Sequence, residues 1–380
     1  MSEQKIQMVD LQKQYQRIKT EVDTAVQSVI AGGAYINGPQ VKEFTAQFGE
    51  YLDVPYVIPC ANGTDALQIA LMALSLKPGD EVIVPAFTYA AAAEAIALLG
   101  LVPIPVDVDA KTFNIDPSKI ELAISRQTKA MIVVHLFGQV CDMESIQAIA
   151  KKYKLFLIED NAQSTGAEYI FKDGSRKKAG TIGDIGTTSF FPTKPLACFG
   201  DGGAIMTSNP ELAERCRMIT LHGQNQKYHH KIIGCNSRLD TIQAAVLSVK
   251  LRYMDVFTAS RVEKAKLYDE HLGFVSDVAT PFRVGYSTHV YHQYTLLIQN
   301  GKRDELQAWL KDKGVPSFVY YPLPLHQQEA FRWCIRMSME LTESEKLCKS
   351  VLSLPIHSEL TEEEQLYIID TVKNGMAAIR

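Results

Sequence analysis

AMIVVHLFGQVCDMESIQAIAKKYKLFLIEDN, residues 130–161, holds two apolar runs separated by a segment of helical period. The runs 130–137 and 154–161 are apolar on consecutive positions instead of alternating, which suits strands covered on both faces. Between them, residues 144–153 read as a crossover helix, so the stretch is one strand, helix, strand unit of a parallel sheet. The same texture extends outward. EVIVPAF (81–87) and PIPVDVD (103–109) are further strand runs, and the Ala- and Leu-rich segment 91–99 is a second crossover. From about residue 55 to about residue 210 the pattern predicts a mostly parallel α/β sheet.

Beyond about residue 250 the texture changes. Residues 252–272 read as a long charged helix, YHQYTLLI (291–298) as a strand and 304–313 as a helix. They are followed by an aromatic, proline-rich loop over 318–326 and a terminal helix from Thr361. The expected organisation is a large α/β domain over residues 1–250, including an N-terminal helix, and a small α+β domain over 251–380.

Hydrophobic residues make up 46% of the 380-residue chain and charged residues 22%, enough to bury a sizeable core. With 39 Lys and Arg against 43 Asp and Glu, the net charge of −4 argues against a general nucleic-acid or anionic-membrane binder. The N-terminal MSEQKIQMVDLQKQYQRIKTEVD lacks an apolar leader pattern, and no apolar run is long enough to span a membrane. Seven scattered cysteines without a C-x-x-C pair suit a reducing compartment, so a cytoplasmic setting is expected.

Three stretches carry the chemistry. In ANGTDALQIALMALSL (61–76), Thr64 is expected as a helix N-cap after Gly63, which leaves backbone N–H groups free for a phosphate; on this motif alone an ordinary capped helix is the commoner reading. Asp160 ends the strand LFLIED, where ligands of open α/β sheets bind, with Gln163 three residues on; taken alone, the acid reads as a solvated strand end before a buried charge with a cationic partner. In TTSFFPTKPLACFGDGGA (187–204), Lys194 lies among Phe190, Phe191, Leu196 and Phe199, and burial there favours a neutral amine able to combine with an aldehyde. Pyridoxal 5′-phosphate unites these signals. It needs an aldehyde-binding lysine (Lys194), a carboxylate at the pyridinium nitrogen (Asp160), phosphate donors (Gly63, Thr64, Ser189) and an aromatic ring on its face (Tyr89).

With these motifs in place, the chain resembles the DegT/DnrJ/EryC1/StrS nucleotide-sugar aminotransferases. The resemblance rests on GGAYINGP (32–39), ANGTDAL (61–67), PAFTYAA (85–91), IEDNAQSTGA (158–167), SFFPTKPLACFGDGGAI (189–205), GCNSRLDTIQAAV (234–246) and YYPLPLHQQ (320–328). It implies the fold type I, aspartate aminotransferase-like architecture of pyridoxal-phosphate enzymes and a homodimer with shared active sites. It also implies that Lys194 and Asp160 are catalytic, that Gln163 contacts the cofactor's phenolic oxygen, and that Asn236 reaches the phosphate from the neighbouring subunit. Relatives that dehydrate carry histidine at the lysine position, so Lys194 favours amino transfer.

CANGTDALQ, SFFPTKPL, HGQNQKYHH (222–230) and NSRLDT further resemble UDP-2-acetamido-2-deoxy-3-oxo-glucuronate aminotransferases of O-antigen synthesis, which use glutamate as donor. That likeness implies that Gly33, Tyr35, Thr193, Arg238, Tyr320 and Tyr321 line the sugar-nucleotide pocket. Tyr320 stands where the likeness leads one to expect histidine. A basic stretch, Lys227, His229, His230, Lys231 and Arg238, suits an anionic UDP-uronate or a solvated turn. Two alternatives stay open: another UDP- or dTDP-linked 3-keto or 4-keto hexose as acceptor, and a non-catalytic cofactor-binding sensor. A zinc site at His229, His230 and Cys235 lacks further ligands, and GTIGDIG (180–186) lacks the G-x-G-x-x-G spacing and reads as a turn.

Overall fold

In the computed structural model, which describes residues 6–299 and 301–379, the unit at 130–161 is β4 (Thr128–Val134), the helix Met143–Tyr153 and β5 (Phe156–Asp160). Residues 1–5, where the N-terminal stretch read for a leader begins, lie outside the described residues. The Asp142 carboxylate caps the crossover helix by accepting from the Ser145 N–H at 3.3 Å, and Lys154 ends it in a left-handed conformation.

These strands belong to a seven-stranded sheet with β1 (Tyr56–Cys60), β2 (Glu81–Pro85) and β3 (Val102–Val106). After the short hairpin β6 (Glu168–Ile170) and β7 (Arg176–Lys178), β8 (Ile185–Ser189) and β9 (Gly203–Thr207) complete it. Its order is β1-β9-β8-β5-β4-β2-β3, and only β9 runs against its neighbours.

The run of consecutive apolar residues has a direct cause. Successive side chains of a strand point to opposite faces, and both faces are covered. Ile132, Val134 and Ile158 pack into one core with α3 (Gly63–Ala73) and α4 (Ala91–Leu98). Met131, Val133 and Leu157 face the other core, with Ile120, Ile146 and Ile149. Each such side chain contributes about 1.5–3 kcal/mol, so a polar residue on either face would be costly. The fold is therefore α/β with a mostly parallel sheet and helices on both sides.

The N-terminal helix α1 (Leu11–Gly32) buries Ile18 and Val22 against Val246, Val249 and Phe257. The helix α2 (Pro39–Leu52) sets Phe44 and Phe48 edge-on against Phe190, with centroids at 5.4 and 5.6 Å, and so anchors the chain just after β8. A small exposed hairpin, β10 (Gln224–Gln226) and β11 (His229–His230), carries Lys227, His229 and His230 of the basic stretch, whereas Arg238 lies outside it.

The long helix covers Met254–Leu272, two residues later than the charge pattern suggests, because Arg252 caps the preceding helix Thr241–Leu251. A three-stranded antiparallel sheet follows: β12 (Val278–Ala279), β13 (Tyr294–Ile298) and β14 (Val351–Leu354). The strand expected from residue 291 begins only at Tyr294. Residues 289–293 are instead drawn to the turn that follows β4, where the Val290 N–H donates to the Gly138 carbonyl at 2.9 Å. The terminal helix Glu362–Ala378 starts with a reciprocal capping box between Thr361 and Glu364. Leu325, Phe331 and Leu347 return to the core beneath the large sheet. Among the described residues, no helix is long and apolar enough to cross a membrane.

Candidate active site

Parallel strands bring their carboxyl ends to one edge, and register puts Val134 beside Asp160 and Asp160 beside Thr187. At this edge a cleft of about 520 Å³ opens between α3, the segment after β8 and the loop carrying Tyr320 and Tyr321. Gly63, Thr64, Tyr89, Asp160, Gln163 and Ser189 line it, as do Thr193, Lys194, Tyr320 and Tyr321.

The start of α3 differs from the expected arrangement. Its N-cap is Asn62, whose side-chain oxygen accepts from the Asp65 N–H at 2.8 Å, and Thr64 is the second helical residue. Asn62 takes the cap because its backbone is extended (φ −167°), which a helical Thr64 cannot match. The shift frees the Thr64 hydroxyl. Among the described residues no acceptor meets the Gly63 and Thr64 N–H groups, which remain available to an anion at the positive end of the helix. A Cβ on Gly63 would sit 2.6 Å from the Ser189 Cβ, so only glycine lets β8 approach the helix start this closely.

Asp160 projects from the end of β5, with one carboxylate oxygen accepting from the Ala162 N–H at 3.0 Å. Burial pushes its pKa up, against the pull of that N–H and of the Lys194 and His135 charges. Lys194 sits in the loop between β8 and β9, half-buried. Burial lowers its pKa and the Asp160 charge opposes the shift. No hydrogen-bond or ion-pair partner meets the amine among the described residues. Its loop is held by Phe190, by a hydrogen bond from the Phe199 N–H to the Gln243 side-chain oxygen at 2.8 Å, and by the Lys250 ammonium 4.8 Å above the Phe199 ring.

Gln163 is oriented by its surroundings. Its oxygen accepts from the Phe137 N–H at 2.8 Å, which turns its amino group toward the cleft and the Tyr321 hydroxyl at 3.1 Å. Burial raises the Tyr321 pKa, so the phenol stays protonated. Tyr89 is 61% exposed at the cleft mouth, its ring 6.0 Å from that of Tyr321, free to cover a planar ligand.

Four of the residues named from the sequence lie elsewhere in this chain. Gly33 closes α1 in a left-handed conformation, and the neighbouring Tyr35 carbonyl accepts from the Thr241 N–H at 2.9 Å. Asn236 is exposed and Arg238 half-exposed, on either side of buried Ser237. Ser237 accepts from the Ala61 N–H at 3.0 Å and donates to Asp65 at 2.5 Å, fastening this segment to the first turn of α3.

Sequence reasoning missed His292, Gln293 and Thr88, which also line the cleft. His292 precedes β13 in YHQYTLLI, and a histidine entering an apolar strand was the available signal. It also missed the Glu159 and His135 pair. Glu159 is fully buried and accepts from His135 Nε2 at 2.8 Å and from the N–H groups of Gly180, Ile182 and Gly183. The GTIGDIG run is therefore a turn that leads into β8, and its Gly180, Ile182 and Gly183 amides wrap a carboxylate of the same chain.

The donor set fits pyridoxal 5′-phosphate: an unpartnered lysine amine, a carboxylate facing it across the cleft, and free N–H groups at a helix start with a serine beside them. The pattern of the DegT/DnrJ/EryC1/StrS aminotransferase family matches residues 16–373. The chain is 46% identical over 355 residues to a UDP-2-acetamido-2-deoxy-3-oxo-D-glucuronate aminotransferase of Pseudomonas aeruginosa, covering 93% of this chain and 96% of the other. It is also 46% identical over 371 residues, 97% of each, to a protein of Geobacillus stearothermophilus named a pleiotropic regulatory protein. A Bacillus subtilis structure with bound cofactor PMP, the amino form of pyridoxal phosphate, matches with a TM-score of 0.90 at 32% identity, over 99% of this chain and 86% of that one. Cleft chemistry, sequence and fold agree, and the chain belongs to the DegT/DnrJ/EryC1/StrS aminotransferase family as a pyridoxal-phosphate-dependent transaminase.

Proposed function

We propose that this protein moves an amino group from glutamate to C3 of UDP-2-acetamido-2-deoxy-3-oxo-glucuronate. The product is UDP-2-acetamido-3-amino-2,3-dideoxy-glucuronate, a precursor for O-antigen or another surface polysaccharide. The observation that carries the reading is the unpartnered Lys194 amine, lowered in pKa by burial, in one cleft with Asp160. A sensor that only holds the cofactor has no use for a free base there, which favours an enzyme over a regulator.

Pyridoxal phosphate, when bound, supplies an aldehyde that carries the amino group and a ring that draws electrons from the substrate carbon. In this reading Lys194 Nζ would hold the aldehyde end of the cofactor until the amine of the substrate displaces it and leaves the lysine amine free. It then takes and returns the proton at the reacting carbon, which requires the neutral amine that burial favours. Asp160 would keep the ring nitrogen protonated, and the Gln163 amino group would donate to the phenolic oxygen. The Gly63 and Thr64 N–H groups and the Ser189 hydroxyl bind the phosphate, and Tyr89 covers the ring and keeps water off it.

Gly33, Tyr35, Thr193, Arg238, Tyr320 and Tyr321 are assigned to the sugar nucleotide. Asn236 and Arg238 do not line their own cleft, which supports a homodimer in which they serve the partner's site, with the Arg238 guanidinium gripping the uronate carboxylate. The same reading divides the chain into domains of residues 1–250 and 251–380 and sets the enzyme in the cytoplasm. Tyr320 supports a second reading, another UDP- or dTDP-linked 3-keto or 4-keto hexose, because burial keeps this phenol neutral where a histidine could carry charge.

Mass-spectrometric detection of amination across UDP- and dTDP-keto-sugars, with glutamate as donor, tests the proposal. The 3-oxo-glucuronate is generated in place by its dehydrogenase. Preferred amination of that sugar is expected. Preference for a neutral keto-hexose transfers the assignment to the second reading, and no amination of any keto-sugar refutes both.

A further inference from the structure

His292 lines the cleft together with Lys194, yet is only 5% exposed. Its Nδ1 is sealed from solvent without a hydrogen-bond partner. The residue before it, Tyr291, accepts through its carbonyl from the Arg261 guanidinium at 3.3 Å. Arg261 comes from the long helix Met254–Leu272, is 4% exposed, and forms no ion pair among the described residues. A buried cation without a counter-charge is costly. Burial lowers the Arg261 pKa only to about 10, so the guanidinium remains charged at neutral pH. Burial, followed by the charges of Lys194 and Arg261, pushes His292 well below the ordinary histidine range. The imidazole is therefore neutral, a hydrogen-bonding group with a positive charge behind it.

The buried guanidinium next to the His292 segment thus lacks a counter-anion. We propose that His292, backed by Arg261, is the subsite for the α-carboxylate of the amino donor, an inference that rests on glutamate or a similar amino acid being that donor. Chemistry selects the ligand. Lys194 must reach the carbon that bears the amino group, and in an amino acid the α-carboxylate is bonded to that carbon. In the keto-sugar the carbons next to C3 carry an N-acetyl group and a hydroxyl, and the uronate lies further along the ring. The diphosphate is still more remote. An anion held beside Lys194 is therefore the donor's. A hydrogen bond from a neutral group to a carboxylate, strengthened by a nearby guanidinium, discriminates an amino acid from a simple amine.

Isothermal calorimetry of holoenzyme with glutarate, an unreactive dicarboxylate, tests the subsite, with UDP as the control ligand. His292→Leu is expected to weaken glutarate at least about tenfold while UDP binding stays within about twofold. Arg261→Met is expected to follow His292→Leu, and Arg261→Lys to retain most of the affinity. If Arg261→Met does not fold, the His292→Leu and Arg261→Lys pair decides. In steady state, His292→Leu is expected to raise the KM for glutamate with little change in the KM for the keto-sugar, a split that general damage to the fold does not produce. Glutarate binding by His292→Leu within about twofold of wild type, or equal loss of glutarate and UDP, overturns the subsite. Wild-type holoenzyme that converts L-glutamate but binds no glutarate overturns the subsite alone, whereas failure to convert L-glutamate overturns the donor assignment and the subsite with it.

Discussion

Glu159 and Asp160 are consecutive carboxylates at one strand end, and the pleat sends them to opposite sides of the sheet. Glu159 is sealed among three backbone N–H groups and His135. Burial would raise its pKa, but the hydrogen bond from His135 and the Gly183 and Gly180 amides outweigh it and hold the acid below the ordinary range. His135 Nδ1 accepts from the Cys141 N–H at 3.2 Å, which assigns the proton to Nε2, facing Glu159. Asp160 keeps one backbone N–H and otherwise faces a cleft and an unpartnered amine. Residue type is nearly the same on the two sides. What separates structure from chemistry is whether the chain itself satisfies the group: a fully bonded carboxylate holds elements together, and an unsatisfied one awaits a ligand.

Lys194→Ala removes the amine that Asp160 faces and is expected to have the largest effect, lowering turnover by about 10³-fold or more, as loss of a base and nucleophile does. Single-turnover rates and the visible spectrum of the bound cofactor measure it, and near-normal turnover would remove Lys194 from the chemistry. Asp160→Asn should lower turnover by about 10²-fold or more without lowering the denaturation midpoint, because the native environment opposes this charge. A loss of stability comparable to that of a Glu159 variant would erase the distinction between the two acids.

Glu159→Gln should do the reverse and destabilise the fold by about 3 kcal/mol, since it leaves amide donors and His135 without their anion. Urea unfolding measures it. The sign of its pH dependence follows from the lowered native pKa. The stabilisation is complete above the unfolded value near 4.5 and is lost as pH falls through the lower native value, so the variant should lose less stability than wild type in that acid window. A Glu159→Gln profile that parallels wild type there would show that this acid does not govern the transition. The smallest effect belongs to Ser237→Ala. Loss of its bonds to Ala61 and Asp65 should cost about 1 kcal/mol and weaken phosphate binding several-fold, read by equilibrium dialysis of the cofactor. Unchanged cofactor affinity would separate the 236–238 segment from the phosphate cup.

Much of this was legible in the chain. The consecutive apolar runs at 130–137 and 154–161 give buried parallel strands because strand periodicity is local, and a covered strand needs apolar residues on both faces. Lys194 among aromatics and Asp160 at a strand end were likewise visible as a reactive amine and an acid at the edge where ligands bind. The cap at Asn62 was misread as Thr64, since both residue types cap and only the backbone conformation chooses between them. The late start of β13 depends on a bond between Val290 and Gly138, some 150 positions apart, which no local pattern encodes.

Composition and local periodicity were thus sufficient for the layered α/β architecture, for Lys194 and for the motifs that mark the family. Folding alone separated Glu159 from Asp160 in role, turned the Gln163 amino group toward the cleft, and brought His292 to its wall with Arg261 bonded to the residue before it. The physical reason is range. Propensity and strand pleat act between neighbours along the chain, whereas satisfaction of a buried polar group is set by residues tens to hundreds of positions away, and that is where this site's chemistry is chosen.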